Sequence, residues 1–267
     1  MTDIELKEQL DALVMKYNVP EFADNDPVGF PRRFTDKRDI EIASLLVSTI
    51  AWGQRPMILR DAERMLSKLG NEPYRFVCEG DIASIGEENV HRTFFGRHLR
   101  YYLTGLRELY LRYGSLEDFA IACGATASEA PAWQLASSLR SLLSDANTAA
   151  QCRLDGPDRC LPSAVDTSAL KRFNMALRWL VRRDGIVDLG VWSALEPSQL
   201  FIPLDVHVAN VSRSAGLLVR KQNDRRAVEE LTCALRRLRP DDPTIYDFAL
   251  FGYGVNTSGT GAAQSSQ

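Results

Sequence analysis

Apolar residues recur every three to four positions along most of the chain, which is the spacing of one face of an α-helix. The first such stripe runs from Ile4 to Tyr17 through Leu10 and Val14. No segment alternates apolar and polar residues for long enough to indicate a β-strand. The pattern therefore predicts an all-α protein, with further helices over residues 40–52, 57–70, 99–114, 130–145, 168–183, 224–239 and 242–254.

The helix over residues 40–52 differs from the others because its apolar residues lie almost all round it, as in a helix buried within a core. Asp39 is placed to cap its start, since an aspartate before the first turn accepts a free backbone N–H. Gly53 is predicted to end this helix and Pro56 to start the next one. Residues 144–167 contain Asp, Gly and Pro without a strong stripe and are predicted to form a long connection.

One carboxylate stands at the start of a further predicted helix, in the stretch FIPLDVHVANVSRSAGLL. Pro203 interrupts the apolar run, and Asp205 follows at the position of an N-cap, where it would contribute about 1 kcal/mol of stability. The same position also suits an active-site acid, because free amides at a helix N-terminus stabilise an ionised carboxylate. The local sequence allows both interpretations.

The composition is typical of a globular protein with a sizeable core: 267 residues, 45% hydrophobic and 25% charged. Its longest apolar runs are too short to cross a bilayer, so no membrane partner is expected. The polar, acidic N-terminal segment has neither the basic nor the apolar region of a secretory signal. Five cysteines without CxxC spacing predict reduced thiols and a cytoplasmic location.

The net charge of −3 does not by itself indicate a nucleic-acid-binding protein, because such proteins neutralise several phosphates with lysine and arginine. The distribution of charge is more informative. Acidic residues concentrate near the N-terminus and in 79–88, whereas basic residues cluster elsewhere. A single basic face is one interpretation, and solvated helix faces with compensating charges are the other. The basic clusters are 97–100, 171–172, 178–183 and 236–239.

Three blocks, KRFNMALRWLVRRDG, IPLDVHV and YDFALFGYG, resemble recurring blocks of a bacterial family without an assigned function. That resemblance covers most of residues 20–256. The IPLDVHV block also resembles the signature that follows the hairpin in the helix-hairpin-helix (HhH-GPD) DNA glycosylases. This second resemblance is distant, rests mainly on residues 160–256, and is closest to the 8-oxoguanine glycosylases, including the archaeal type.

The glycosylase resemblance implies a two-lobed, all-α domain over residues 1–256. Lobe 1 would comprise about residues 40–140, and lobe 2 residues 1–39 together with 141–256. The small polar residues 257–267 are expected to form a disordered tail. The chain departs from the superfamily at the hairpin, where LPSA at residues 161–164 replaces Leu-Pro-Gly-Val-Gly. The hairpin is therefore degenerate, and it lacks the glycines that allow a backbone to approach a DNA phosphate closely.

The resemblance also implies a catalytic pair. Asp205 would stabilise the positive charge that builds on the sugar as the N-glycosidic bond breaks. Lys171 would be the nucleophile of the bifunctional members, attacking C1′ as a neutral amine to form a Schiff base. Arg172, the adjacent cation, would favour that neutral form. The alternative for Lys171 is an ordinary surface lysine.

Further residues would contact DNA in the same frame. His207 could donate to a phosphate beside the lesion, although a single histidine here is more often a packed group. A base must be rotated out of the duplex before its bond is reached, and Gln54 is the candidate for the wedge that fills the gap. Arg55 is the candidate for a phosphate contact. The plainer interpretation of residues 53–55 is a turn between helices.

The last predicted helix occupies the place of the helix that lines the base pocket in oxoguanine glycosylases. An ionised Asp247 could accept the N–H donors of a guanine edge, and Phe248 or Phe251 could stack on the flipped ring. Aromatic residues at helical spacing are more usually core. No cysteine cluster follows this helix and the chain has only three histidines, so neither an iron–sulfur cluster nor another metal or cofactor is expected.

These observations predict a monomeric DNA-repair glycosylase that excises an oxidised purine, 8-oxoguanine above all, from damaged double-stranded DNA. An abasic-site lyase activity through the lysine Schiff base is a further expectation. Two rival interpretations remain open. The fold could serve as a non-catalytic nucleic-acid-binding module, in keeping with the missing hairpin glycines and the acidic pI of about 5.7. It could also be a helical protein-interaction scaffold, in which case no contiguous basic groove should be found.

Overall fold

The fold is built from α-helices that enclose one core. A computed structural model describes residues 2–261, with side chains to residue 256. Helices account for 65% of it and strands for 3%, so the all-α prediction is confirmed. Within the described residues the α-helices are α1 Asp3–Tyr17, α2 Lys37–Ile50, α3 Arg55–Lys68, α4 Pro73–Glu79, α5 Gly96–Tyr113, α6 Leu116–Ala122, α7 Pro131–Ala149, α8 Lys171–Val181, α9 Val206–Ser214, α10 Arg225–Leu238 and α11 Tyr246–Gly261.

A short hairpin and several single turns link these helices. Strand β1, Asn89–His91, pairs antiparallel with β2, Phe94–Phe95. These strands are too short to produce a recognisable alternation, and the sequence pattern did not predict them. The 3₁₀ turns are Pro20–Asn25, Pro27–Gly29, Pro31–Arg33, Ile82–Ser84, Ala125–Ala127, Val165–Thr167, Pro197–Gln199 and Pro243–Ile245.

The boundaries of α2 differ from the prediction. Its N-cap is Asp36, whose side chain accepts the Arg38 N–H, so the helix begins one turn before the expected cap. The prediction that Asp39 caps α2 is wrong, because Asp39 lies inside the helix and accepts the Tyr74 N–H of α4 at 2.7 Å. The predicted ending at Gly53 is also wrong. Helix α2 ends at Ile50, and Gly53 belongs to the following loop.

Several other helix boundaries differ by a few residues, and two short helices were not predicted. Helix α3 begins at Arg55, with Pro56 as its second residue. Helix α7 continues to Ala149, so the irregular segment starts later than the predicted connection over 144–167. Helices α4 and α6 have only seven residues each, which is too short for a clear apolar period.

Helix α2 forms the centre of the core, as its all-round apolar pattern predicted. Every residue from Ile40 to Ile50 is buried. Among them, Glu41 is buried because four donors satisfy its carboxylate: the Tyr110 hydroxyl, the Trp192 indole and the backbone N–H groups of Leu116 and Glu117, at 2.8–3.2 Å. Burial raises the pKa of Glu41, and these hydrogen bonds oppose the rise.

The remaining helices pack around α2 in pairs that are distant in sequence. Helix α8 lies against α2, α5 against α7, and α11 against both α1 and α9. The first and last helices are therefore neighbours. The division into two lobes remains a prediction.

The expected tail is described only in part. The backbone of residues 257–261 forms the last turn of α11, whereas residues 262–267 lie outside the described residues. No helix within residues 2–261 is both long and apolar enough to cross a membrane.

Candidate functional site

Asp205 caps α9, as the sequence predicted. Its backbone is extended, and its side chain accepts the Val208 N–H at 2.9 Å. The four residues before it, Phe201 to Leu204, are buried, so the carboxylate emerges where the chain leaves the core. Asp205 is half-buried and forms no ion pair with any described residue. Its second oxygen therefore remains available.

Lys171 is the first residue of α8. The residue before it, Leu170, is buried in the left-handed region at φ 48°, ψ 33°, a conformation that costs a leucine about 1–2 kcal/mol. Tertiary packing holds this strain and thereby fixes where α8 begins. The Lys171 side chain is half-buried and has no hydrogen bond or ion pair within the described part of the chain. Like Asp205, it is unpaired.

Asp247 on α11 shows that these two unpaired groups share one region. Burial raises the pKa of Asp247 to about 6. The Arg178 guanidinium opposes the rise, the negative charge of Asp205 adds to it, and the positive charge of Lys171 opposes it. A charge changes the pKa of a neighbouring group only when it lies close to that group and is poorly screened by solvent. Helices α8, α9 and α11 therefore bring Lys171, Asp205 and Asp247 into a common electrostatic environment.

Arg178 holds Asp247 in place, a role that sequence reasoning missed. Its guanidinium donates to Asp247 through Nη1 and to Asp188 through Nε, the latter at 3.3 Å. Asp188 is shared with Arg182, which is also buried. The sequence signal was the spacing, because Lys171 and Arg178 are two turns apart on one helix face.

Asp26 is a second missed residue. It caps the Pro27–Gly29 turn by accepting the Val28 N–H at 3.1 Å, and its Oδ2 lies 4.0 Å from an Arg55 guanidinium nitrogen. Burial raises the pKa of Asp26, while the charges of Arg55, Arg178 and Lys171 oppose the rise. The signal was an aspartate directly before a proline, which is typical of a cap.

Three predicted residues lie side by side next to these charges. The Arg55 guanidinium is 5.6 Å from the centroid of the Phe251 ring, and the His207 ring meets that ring edge-on at 6.3 Å. Gly254 permits this arrangement, because a Cβ there would lie 3.1 Å from the His207 Cβ. Within residues 2–256 the His207 imidazole has no hydrogen-bond partner. Gln54 is exposed at the N-cap position of α3 and makes no capping hydrogen bond.

Two predicted site residues are engaged elsewhere. Phe248 is 1% exposed, with Phe22 edge-on at 5.2 Å and the Arg178 guanidinium 4.3 Å from its centroid. The prediction that Phe248 could stack on a base is therefore wrong, since its ring is covered. Arg172 donates to the Thr49 carbonyl at the end of α2 and is mostly desolvated, which lowers its pKa. Its guanidinium is therefore not free for a substrate.

Lys171, Asp205 and Asp247, here called the charged cluster, lie beside a surface cleft rather than inside it. A cleft of ≈ 510 Å³ is lined by Asp26, Phe30, Leu59 and several arginines. Asp205 and Lys171 do not line it. A second cleft, of ≈ 590 Å³, lies around Val219 and Arg226 and contains none of the site residues. We take the charged cluster as the candidate site because its chemistry, not its depth, sets it apart.

The described residues include no group of three or more His, Cys, Asp or Glu side chains arranged to hold a metal ion. The family described as "Protein of unknown function (DUF2400)" matches residues 26–256. No curated protein and no solved structure matches the chain.

Proposed function

The chain belongs to the DUF2400 family, and from its own residues we propose that it is a DNA glycosylase that releases an oxidised purine, 8-oxoguanine above all. The observation that carries the proposal is an unpaired carboxylate and an unpaired amine beside the same buried acid. The distant resemblance to the HhH-GPD glycosylases, with a degenerate hairpin, supplies the reaction class. The protein would act as a monomer on damaged double-stranded DNA in the cytoplasm.

Asp205 would stabilise the transition state. As the bond between C1′ and the base nitrogen breaks, its electron pair leaves with the base and positive charge builds at C1′ and the ring oxygen. A fixed carboxylate near that charge lowers the barrier, and it does so more strongly when water is excluded. The Val208 N–H, in the first turn of α9, holds the carboxylate in a fixed orientation.

Lys171 would provide the nucleophile. Its amine would form a bond to C1′ as the base departs with the electron pair of the broken bond, and the proton that the amine then loses would neutralise the departing base. Opening of the sugar ring gives the Schiff base, and loss of a C2′ proton expels the 3′ phosphate. The start of α8 is fixed after Leu170, and this would help to orient the amine for the attack.

Neighbouring groups would bind the substrate. Asp247 would accept N–H donors of the purine with the oxygen that Arg178 leaves free, and Phe251 would stack on the ring. His207 would donate to a phosphate next to the lesion. Gln54 would fill the gap left by the flipped base, and Arg55 would contact the backbone.

Borohydride trapping tests this proposal. The wild-type protein is incubated with a duplex that carries one 8-oxoguanine, and sodium borohydride is added to reduce any Schiff base to a stable cross-link. We expect a covalent complex with the wild type and none with Lys171→Ala. Lys221→Ala, which removes an exposed lysine on another surface, is the matched control and should cross-link normally. Cross-linking by Lys171→Ala would remove Lys171 from the mechanism. The absence of base release from every damaged duplex tested would refute the glycosylase activity.

The second candidate is a non-catalytic nucleic-acid-binding module, because one observation argues against a glycosylase-type use of the hairpin. The backbone N–H groups of Cys160 and Leu161, at the degenerate hairpin, donate to the Asp158 carboxylate at 2.8 and 3.4 Å. Amides that already bind the protein's own carboxylate are not free for a DNA phosphate. Binding that weakens steeply with salt, without any base release, would identify such a module.

A further inference from the structure

The turn of the β-hairpin presents an exposed arginine beside the loop that joins α2 to α3. Arg92 connects β1 to β2 with φ 49°, and its guanidinium carbon lies 4.5 Å from the centroid of the Trp52 ring. Within the described residues this guanidinium has no hydrogen bond and no ion pair. A cation held against an aromatic ring with its donors unpaired is preorganised to bind an anion.

Gly53 makes room for this arginine. Its φ of +106° is one that residues with a side chain rarely adopt. A Cβ at this position would lie 2.7 Å from Arg92 Nη1 and 3.2 Å from Arg92 Cδ. The backbone angle therefore favours glycine here, and a Cβ at this position would force the Arg92 side chain to shift. We call the combined surface, formed by Trp52, Gly53, Gln54, Arg55 and Arg92, the loop–hairpin surface.

A buried histidine fixes the hairpin to the loop. His91 is fully buried, with Nδ1 2.8 Å from the Asp61 carboxylate and Nε2 2.8 Å from the Trp52 carbonyl. Both partners offer oxygen atoms to the ring nitrogens, so the ring bridges helix α3 and the loop. Burial acts to raise the pKa of Asp61, but hydrogen bonds from His91 and Arg60 hold it below its ordinary value. These contacts hold the hairpin and the loop in a fixed relative position.

Further arginines extend the positive charge along α3. Arg60 and Arg64 have side chains 68% and 48% exposed, and the acid between them, Asp61, is 2% exposed. The exposed acids nearby, Glu63 and Glu88, form ion pairs with Arg33 and Lys68. The face beside the loop–hairpin surface therefore presents arginine side chains to solvent, while the carboxylate that Arg60 and Arg64 share, Asp61, is buried.

We propose that the loop–hairpin surface binds the phosphate backbone of duplex DNA, with Arg92 contacting one phosphate. The inference rests on the proposed function and identifies a second contact region for the same substrate. Arg55 links the two regions, because it belongs to the loop–hairpin surface and also lies over Phe251 and near Asp26. A duplex held by Arg92 and Arg55 would pass over the Asp205 site. Charge complementarity favours the phosphate backbone as the occupant.

Binding of undamaged duplex DNA at several salt concentrations tests the inference. Fluorescence anisotropy with a labelled 20-base-pair duplex gives the affinity and its salt dependence. We expect Arg92→Ala to weaken binding about tenfold and to reduce the slope of log K against log salt by about 0.9, the value for one lost phosphate contact. Arg112→Ala is the matched control, because Arg112 is also exposed, unpaired among the described residues and 5.2 Å from an aromatic ring. Its binding should be unchanged.

Gly53→Ala is a second variant that removes no charge. It should displace Arg92 and weaken binding in the same direction, with circular dichroism showing that the helices remain. The inference is wrong if Arg92→Ala binds as the wild type does, if Arg112→Ala loses as much, if duplex RNA is preferred, or if the wild type binds no DNA. Base release is measured separately on the 8-oxoguanine duplex: binding of the undamaged duplex that depends on Arg92, with no base release from the damaged duplex, would refute the glycosylase and leave this inference standing. Base release from the damaged duplex, together with binding that does not depend on Arg92, would support the glycosylase and refute this inference.

Discussion

Asp205 and Asp224 cap neighbouring helices with nearly the same local geometry. Their backbone angles are φ −112°, ψ −175° and φ −126°, ψ −174°. Each accepts the N–H three residues ahead, at 2.9 Å for Val208 and 3.1 Å for Ala227. By the rules of helix capping, the two aspartates are equivalent.

Their surroundings differ. Arg220 donates to Asp224 at 2.7 Å, and this hydrogen bond lowers the pKa of Asp224 to about 2. Asp205 has no such partner among the described residues, and it faces the acid Asp247 instead. The charge of Asp224 is therefore paired with an arginine, whereas the charge of Asp205 adds to the rise in the pKa of Asp247 that burial causes. That difference is what separates a structural cap from a candidate catalytic acid.

The largest expected effect concerns Arg178, which pairs with Asp247 near Asp205, compared with Arg220, which pairs with Asp224 itself. Arg178→Met keeps an aliphatic side chain in the core but leaves Asp247 without its ion-pair partner, and should reduce the free energy of unfolding by about 3 kcal/mol. Arg220→Met, which removes the solvent-screened partner of Asp224, should have a much smaller effect on the free energy of unfolding. Urea denaturation measures both. Equal losses of unfolding free energy in the two variants would contradict the difference between the surroundings of Asp205 and those of Asp224.

A smaller effect is expected in the pH dependence of stability. The pKa of Asp247 is raised in the folded protein. Its contribution to the free energy of unfolding is therefore greatest at pH values below its pKa in the unfolded chain, and it is lost as pH rises through about 6. Between pH 4.5 and 7, the wild type should lose about 2 kcal/mol of unfolding free energy relative to Asp247→Asn. Asp145→Asn, at an exposed position on α7, is the control for a general charge effect.

Asp224→Asn should show the opposite sign in the same experiment. The pKa of Asp224 is lowered in the folded protein. Its contribution to the free energy of unfolding is therefore present at pH values above its pKa in the unfolded chain, and it is lost as pH falls toward about 2. Parallel pH profiles for Asp224→Asn and Asp247→Asn would contradict the contrast between the two helix starts.

The smallest effect concerns the caps themselves. Asp224→Ala removes a cap and an ion pair and should cost more than about 1 kcal/mol. Asp205→Ala removes a cap but also relieves the repulsion with Asp247, so its cost should be less than about 1 kcal/mol. Urea denaturation at pH 7 measures the difference. A larger loss for Asp205→Ala would mark Asp205 as a stabilising residue only.

The helices were predictable because the burial of one helix face is a local signal. Helix boundaries were less so: Asp36 and Asp39 both suit a cap, and only the distant Tyr74 N–H explains what Asp39 does. Periodicity also could not separate Phe248 from Phe251. Phe22, from a different part of the chain, covers Phe248 and leaves Phe251 beside the charged cluster.

The candidate site was predictable only where its residues lie in recognisable blocks, as Asp205 and Lys171 do. The partners that define their environment come from long-range contacts, such as Arg178 with Asp247, which are 69 positions apart. The pairing of His91 with Asp61 across 30 positions is another. Local patterns carry no information on which buried charges will meet.

The most direct test of the central claim is the single-turnover rate of base release from an 8-oxoguanine duplex by Asp205→Asn, with Asp224→Asn beside it. Asparagine caps a helix as well as aspartate does, so both variants should fold and only the charge is removed. We predict a loss of at least about 100-fold for Asp205→Asn and a near-wild-type rate for Asp224→Asn. A wild-type rate for Asp205→Asn would show that Asp205 is a helix cap and nothing more.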